Sequence, residues 1–213
     1  MNTVRRFTPQ QGGTLLGRFE PIEADLLRLA TKQLLEMLDS GSNDPELAAS
    51  DGIFSRLLPD AYSDDEEAAA EFRRYTSINL LERKALNAQI VLNSLPLDLS
   101  GLSKLLDERD AIREADAATT APGAGPDVPA DSAPDADNVI EAEDRQPITV
   151  TLDPNAVQAW LRSLTDLRLT LADRLQISPD GVVHLATEDT PFLRELYDWL
   201  GMLQEELVYS IDV

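Results

Sequence analysis

Arg168 is the residue whose type and position raise the sharpest chemical question in the chain. It falls in the helical stripe Val157, Leu161, Leu164, Arg168, Leu171, Leu175, where every other member is aliphatic. A guanidinium in such a stripe is expected to be partly buried and held by a carboxylate, because an unpaired buried charge is very costly. Asp166, two positions away, points elsewhere on a helix. The partner is therefore expected from another element, either the Asn79–Glu82 region or the last helix. A structural ion pair is the first reading and a binding-site arginine the second.

Other candidates for chemistry have plainer explanations. Asp64-Asp65-Glu66-Glu67 is acidic enough to attract a cation, but acids in the first turn of a helix complement its dipole, and no second ligand cluster of suitable spacing accompanies them. His184 is the only histidine and lacks the context of a nucleophile. Gly12-Gly13 has no G-K-[ST] sequel, so no phosphate loop is indicated. Arg73-Arg74 and Arg83-Lys84 read as a solvated basic strip. The chain contains no cysteine, which removes disulfides, thiol nucleophiles and thiolate-bound zinc together. No catalytic residue, metal site or cofactor is implied. Trp160, Trp199 and Phe72 are expected as core or interface aromatics, the two tryptophans locking the C-terminal helices together.

Charge narrows the partners. Eighteen basic and 39 acidic residues leave −21, and residues 1–97, 98–147 and 148–213 carry −5, −9 and −7. No segment is basic, so direct nucleic-acid binding is not expected. An anionic membrane surface would repel the chain, whereas a basic protein would attract it in a salt-dependent manner. No run approaches the roughly 18–20 apolar residues of a membrane span. Met1-Asn2-Thr3-Val4-Arg5-Arg6 leads into no apolar signal core, which points to the cytoplasm.

The elements that must position these residues follow from periodicity. Val4–Thr8 and Thr14–Phe19 read as a β-hairpin around Gln10-Gln11-Gly12-Gly13. Pro21 opens a helix whose apolar residues recur to Asp39, where Ser40-Gly41-Ser42-Asn43 is expected to end it. A short helix over residues 50–58 stops at Pro59. Ser63-Asp64-Asp65-Glu66 has the form of a capping box for a helix over residues 64–95. The apolar stripe of that helix changes phase, which places a kink or break at Thr76-Ser77-Ile78-Asn79.

A weaker helix is expected over residues 99–115, and residues 116–147 have the composition of a disordered acidic linker. Ile148–Leu152 reads as a strand, and Asp153-Pro154 as a cap and first position of a helix running to about residue 176. A turn at Pro179-Asp180-Gly181, a short strand over 182–185 and a last helix from Thr190 follow. The expected fold is mainly α: a bundle of five to six helices with a small β-sheet, made of the hairpin and short strands before and after the 154–176 helix. Residues 1–115 and 148–213 would pack into one core.

Several segments together resemble an actinobacterial family long labelled as of unknown function. They are Phe54-Ser55-Arg56-Leu57-Leu58-Pro59-Asp60-Ala61-Tyr62, Glu71-Phe72-Arg73-Arg74-Tyr75-Thr76, Leu152-Asp153-Pro154 with Ala159-Trp160-Leu161-Arg162, Leu164-Thr165-Asp166-Leu167-Arg168-Leu169, and Tyr197-Asp198-Trp199-Leu200-Gly201. Thr165 stands where the family pattern has Asn. That family carries the name of an oxidative-stress transcriptional regulator, and its genes typically lie beside that of the Clp protease adaptor. The resemblance implies a non-enzymatic regulator acting through protein–protein interaction with a sigma factor or RNA polymerase. The alternative it implies is an accessory protein of the Clp proteolysis system. It supplies no catalytic residue, and the missing cysteines leave no thiol in this member to sense oxidant.

Overall fold

The computed structural model describes residues 5–44, 48, 51–58, 61–62, 64–96, 147–178 and 180–211. Strands β1 (Phe7–Pro9) and β2 (Leu15–Phe19) form the hairpin, joined by a 3₁₀ turn over Gln11–Gly13. Helices α1 (Pro21–Asn43), α2 (Gly52–Leu57) and α3 (Glu66–Ser94) follow. Strand β3 (Ile148–Leu152) precedes α4 (Pro154–Arg174) and α5 (Thr190–Ile211). The fold is mainly helical with one small antiparallel sheet of order β1-β2-β3, the expected class. The helix expected over 99–115 and the linker expected over 116–147 lie outside the described residues.

Alternation decides which face of the sheet is covered. Leu15, Gly17 and Phe19 of β2 point inward and Arg18 outward, as the two-residue period of a strand requires. The register pairs Gly17 with both Phe7 and Val150, so β2 is the central strand. Beneath it lies Trp160 of α4, fully buried. Its ring meets Phe7 edge-on at 6.4 Å and 83°, and Phe19 at 5.6 Å and 37°. Around this aromatic centre one hydrophobic cluster draws Leu27, Leu34 and Leu38 from α1, Leu81 and Val91 from α3, Leu164 from α4, and Leu200, Leu203 and Leu207 from α5. Both parts of the chain contribute to this core.

Helix α4 is the hub. It packs on α1, α2, α3, α5 and β3, and Asp153 caps it by accepting a hydrogen bond from the Ala156 amide at 2.7 Å, with Pro154 in the first turn. Small residues at Ala156, Ala159 and Ser163 are all buried and let neighbouring backbones approach.

Four local expectations are corrected. Helix α1 continues through Ser40-Gly41-Ser42-Asn43 instead of ending there. Ser40, Ser42 and Asn43 donate to the carbonyls of Glu36, Leu38 and Asp39 one turn earlier, and Gly41 lies under the Phe54 ring, which a Cβ would overlap. The cap of α3 is Asp65, which accepts from the Ala68 amide at 2.9 Å. The helix runs unbroken through 76–79, so the phase change marks a change of environment and not of backbone. The 182–185 run gives only an isolated bridge, Val183 with Ile177. Gln176 at φ 52° and Gly181 at φ 83° turn the chain too tightly there for a ladder.

Candidate functional site

The C-terminal half of α3 is fixed by three polar contacts. Lys84 reaches Asp166 of α4 at 2.6 Å, Trp160 donates its indole N–H to Ser94 Oγ at 2.9 Å, and Arg28 of α1 donates to the carbonyls of Leu92 and Leu95. A cation at a helix C-terminus meets unsatisfied carbonyls and the negative end of the dipole. Burial pushes the Asp166 carboxyl up, and Lys84 draws it only part of the way back, so the net direction is upward. Lys84, read from sequence as part of a solvated strip, is thus one half of a mostly buried ion pair. Asp166 is the other half. The legible signal was the run of small and polar residues Ser163, Asp166 and Thr170 on one side of α4, all buried. A helix enclosed by several elements buries more than one stripe.

Arg168 is half-buried, but no carboxylate lies within 4.0 Å of it among the described residues, which corrects the expected partner type. Its guanidinium lies over the Tyr197 ring at 4.9 Å. It donates to Gln204 Oε1 at 3.0 Å and to the Tyr197 hydroxyl at 3.4 Å. Gln204 in turn donates to Thr165, which donates to the Leu161 carbonyl. The last helix does hold the arginine, with neutral groups.

The tryptophans do not lock α4 to α5. Trp160 is core, but its ring partners are those of the hairpin. Trp199 is partly buried beside Glu23, the centre of a second network. Glu23 is bridged by both terminal nitrogens of Arg6 at 2.5 and 2.8 Å, and Arg6 also meets Glu206 at 3.3 Å. Burial acts to raise the Glu23 pKa, but Arg6, the Glu20 amide and Trp199 outweigh it and hold the carboxyl below its usual range.

Phe72 falls on the opposite side of the core-or-interface choice. It is 40% exposed, and its ring meets exposed Tyr62 edge-on at 6.0 Å. Tyr75, 68% exposed, Ile78 and Leu86, 65% exposed, continue this surface along α3. The buried row of the same helix is Ala69, Leu81, Ala88 and Val91. Glu71 and Glu82, both exposed, stand four before and seven after Tyr75 and so share its face. Beside this face a cleft of about 730 Å³ opens between α1, α2 and α3, lined by Phe54, Leu58, Arg74, Ile78 and Leu81 among others. Among the described residues no cluster of three or more metal-ligating side chains occurs, and no helix is long and apolar enough to cross a membrane.

Over residues 4–211 the sequence matches the family described as "Domain of unknown function (DUF2017)". The chain belongs to this family. The match runs from the first strand to the end of α5, so both the aromatic face of α3 and the Arg168 cradle lie within the family domain. No curated protein matches the chain, and no solved structure does.

Proposed function

We propose that this protein is a non-enzymatic regulator that works by binding other proteins, with the exposed face of α3 as its contact surface. The observation that carries this reading is the pairing of Phe72, Tyr75, Ile78 and Leu86 outside the core with a rigidly held opposite side of the same helix. Contiguous exposed apolar surface marks interaction sites, and aromatic residues are enriched at their centres. The partner surface that fits is apolar with a rim of mixed charge, because exposed Glu71 and Glu82 border Tyr75 and exposed Arg83 stands three residues before Leu86. The setting we propose is cytoplasmic oxidative-stress transcription in an actinobacterium, with a sigma factor or RNA polymerase as partner, on the strength of the family resemblance. Direct contact with DNA is not part of the proposal.

The test is a tagged capture from native cytoplasm, with and without peroxide, comparing wild type with Tyr75→Ala/Leu86→Ala and identifying partners by mass spectrometry. Recovery of a sigma factor or polymerase subunits by wild type and not by the variant supports the reading. Recovery of the Clp adaptor or protease alone moves the protein to proteolysis. Identical recovery by wild type and variant removes the α3 face from the account.

A further inference from the structure

Helix α5 is apolar on two sides. Its inner row, Leu196, Leu200, Leu203 and Leu207, is buried. Met202, Val208 and Tyr209 are exposed away from that row, Met202 and Tyr209 on one line of the helix, whereas exposed Ile211, one turn beyond Leu207, continues the inner row at the helix end. Exposed apolar side chains grouped on one face of a helix mark a contact surface. Between this outer face and α4 lies a shallow depression of about 530 Å³, lined by Arg168, Gly201, Gln204, Glu205, Val208 and Tyr209.

Two features of this depression point to what covers it. Arg168 is held in place by neutral groups, its terminal nitrogens donating to Gln204 and to the Tyr197 hydroxyl. The guanidinium lies against α5 at Gly201, where a Cβ would be in ordinary van der Waals contact with it, 3.4 Å from Arg168 Cζ. The arginine is therefore fixed at the wall of the depression by neutral groups, with no carboxylate among the described residues to balance its charge. Glu205 lines the same depression and is exposed, and among the described residues no cation lies within 4.0 Å of it.

The depression thus holds one cation and one anion that do not pair with each other. In a chain of −21 this locally neutral, apolar surface is a poor lure for a basic partner. It is suited to another surface of the same kind. In a two-fold dimer each contact is made twice by the same two patches, so Arg168 of one protomer meeting Glu205 of the other satisfies all four charges at once. We infer that the outer face of α5 is a self-association surface, on which two copies pack Met202, Val208 and Tyr209 around reciprocal Arg168–Glu205 pairs. This surface is separate from the α3 face, and the inference stands or falls independently of the regulatory reading.

Sedimentation velocity on the full chain at physiological salt, over a concentration series, tests it. Wild type is expected to shift with concentration from the 23.4 kDa monomer towards twice that mass. Glu205→Arg places like charges opposite each other and weakens association by about tenfold or more. Adding Arg168→Glu to Glu205→Arg restores it to within about threefold. Val208→Asp, at an exposed position, abolishes the dimer while circular dichroism and the melting temperature stay at wild-type values. If Arg168→Glu fails to fold, the two single exposed variants decide the matter. Wild type that remains a monomer throughout, or a dimer that Glu205→Arg and Val208→Asp both leave intact, overturns the inference.

Discussion

The two halves of α3 share one backbone and differ in almost everything else. From Leu81 to Ser94 the helix is clamped: Leu81, Ala88 and Val91 are buried, Lys84 is paired with Asp166, Ser94 receives the Trp160 indole, and Arg28 closes the last carbonyls. Among the residues described from Glu67 to Ile78 only Ala69 is fully buried, while Phe72, Tyr75 and Ile78 face outward. The lesson is that aromatic character alone does not assign a residue to a core. Trp160 is enclosed because sheet, α3 and α4 converge on it. Phe72 is not, because α1 and α2 leave the first turns of α3 overhanging a cleft.

The comparison is broken most severely by Trp160→Ala. Removing the ring from a fully buried site is expected to cost about 3–5 kcal/mol, read as a lower urea midpoint, with the loss of the clamp on Ser94 included. Lys84→Ala ranks next. It strands a carboxylate in a mostly buried site, and because Lys84 is itself partly exposed the expected loss is about 2–3 kcal/mol near neutral pH. Replacing the pair together, Lys84→Met with Asp166→Leu, should restore most of it.

The pH dependence of these variants has a definite sign. Asp166 has a pKa raised from 3.8, so its protonated form favours the fold: that contribution is full below 3.8 and lost as pH rises through the higher folded value. Asp166→Asn removes this fall in stability with rising pH. Glu23, lowered from 4.5, works the other way. Its contribution is present above 4.5 and lost as pH falls through the depressed folded value, so Glu23→Gln should be destabilised near neutrality and match wild type in acid. Thermal melts across the acid range check both.

Arg28→Ala should cost about 1–2 kcal/mol, with faster amide exchange confined to the last turn of α3. At the small end, Tyr75→Ala should change stability by less than about 0.5 kcal/mol and still abolish partner capture. If it unfolds the protein instead, the overhanging half is part of the core and the contrast between the halves disappears.

Much of this architecture was legible from residue order. The Asp153-Pro154 helix start, the hairpin, the third strand and the two C-terminal helices each follow from local chemistry, and so does the mainly helical class. Polar pairing across the core was not legible, because it depends on which helix faces which. Asp166 lies only two residues from Arg168, yet the first is enclosed with Lys84 of α3 and the second lies against α5. A single apolar stripe marks a helix with one buried side, and α4, packed by five elements, has almost no free side. The aromatic face was half legible: the phase change at residues 76–79 detected that Phe72 and Tyr75 leave the buried row, but sequence alone could not distinguish a bend from an overhang.

The pairing of β2 with β3 has a consequence for the order of events during synthesis. Residues 15–19 and 148–152 must meet to complete the sheet, and on the ribosome β2 emerges long before its second neighbour exists. Until then one side of the hairpin carries unsatisfied amide and carbonyl groups beside Phe7 and Phe19, with no Trp160 beneath them. Edges of that kind recruit other strands, and contacts so remote in sequence close slowly. A nascent chain released before β3 should therefore aggregate or engage a chaperone, and the full-length chain should not.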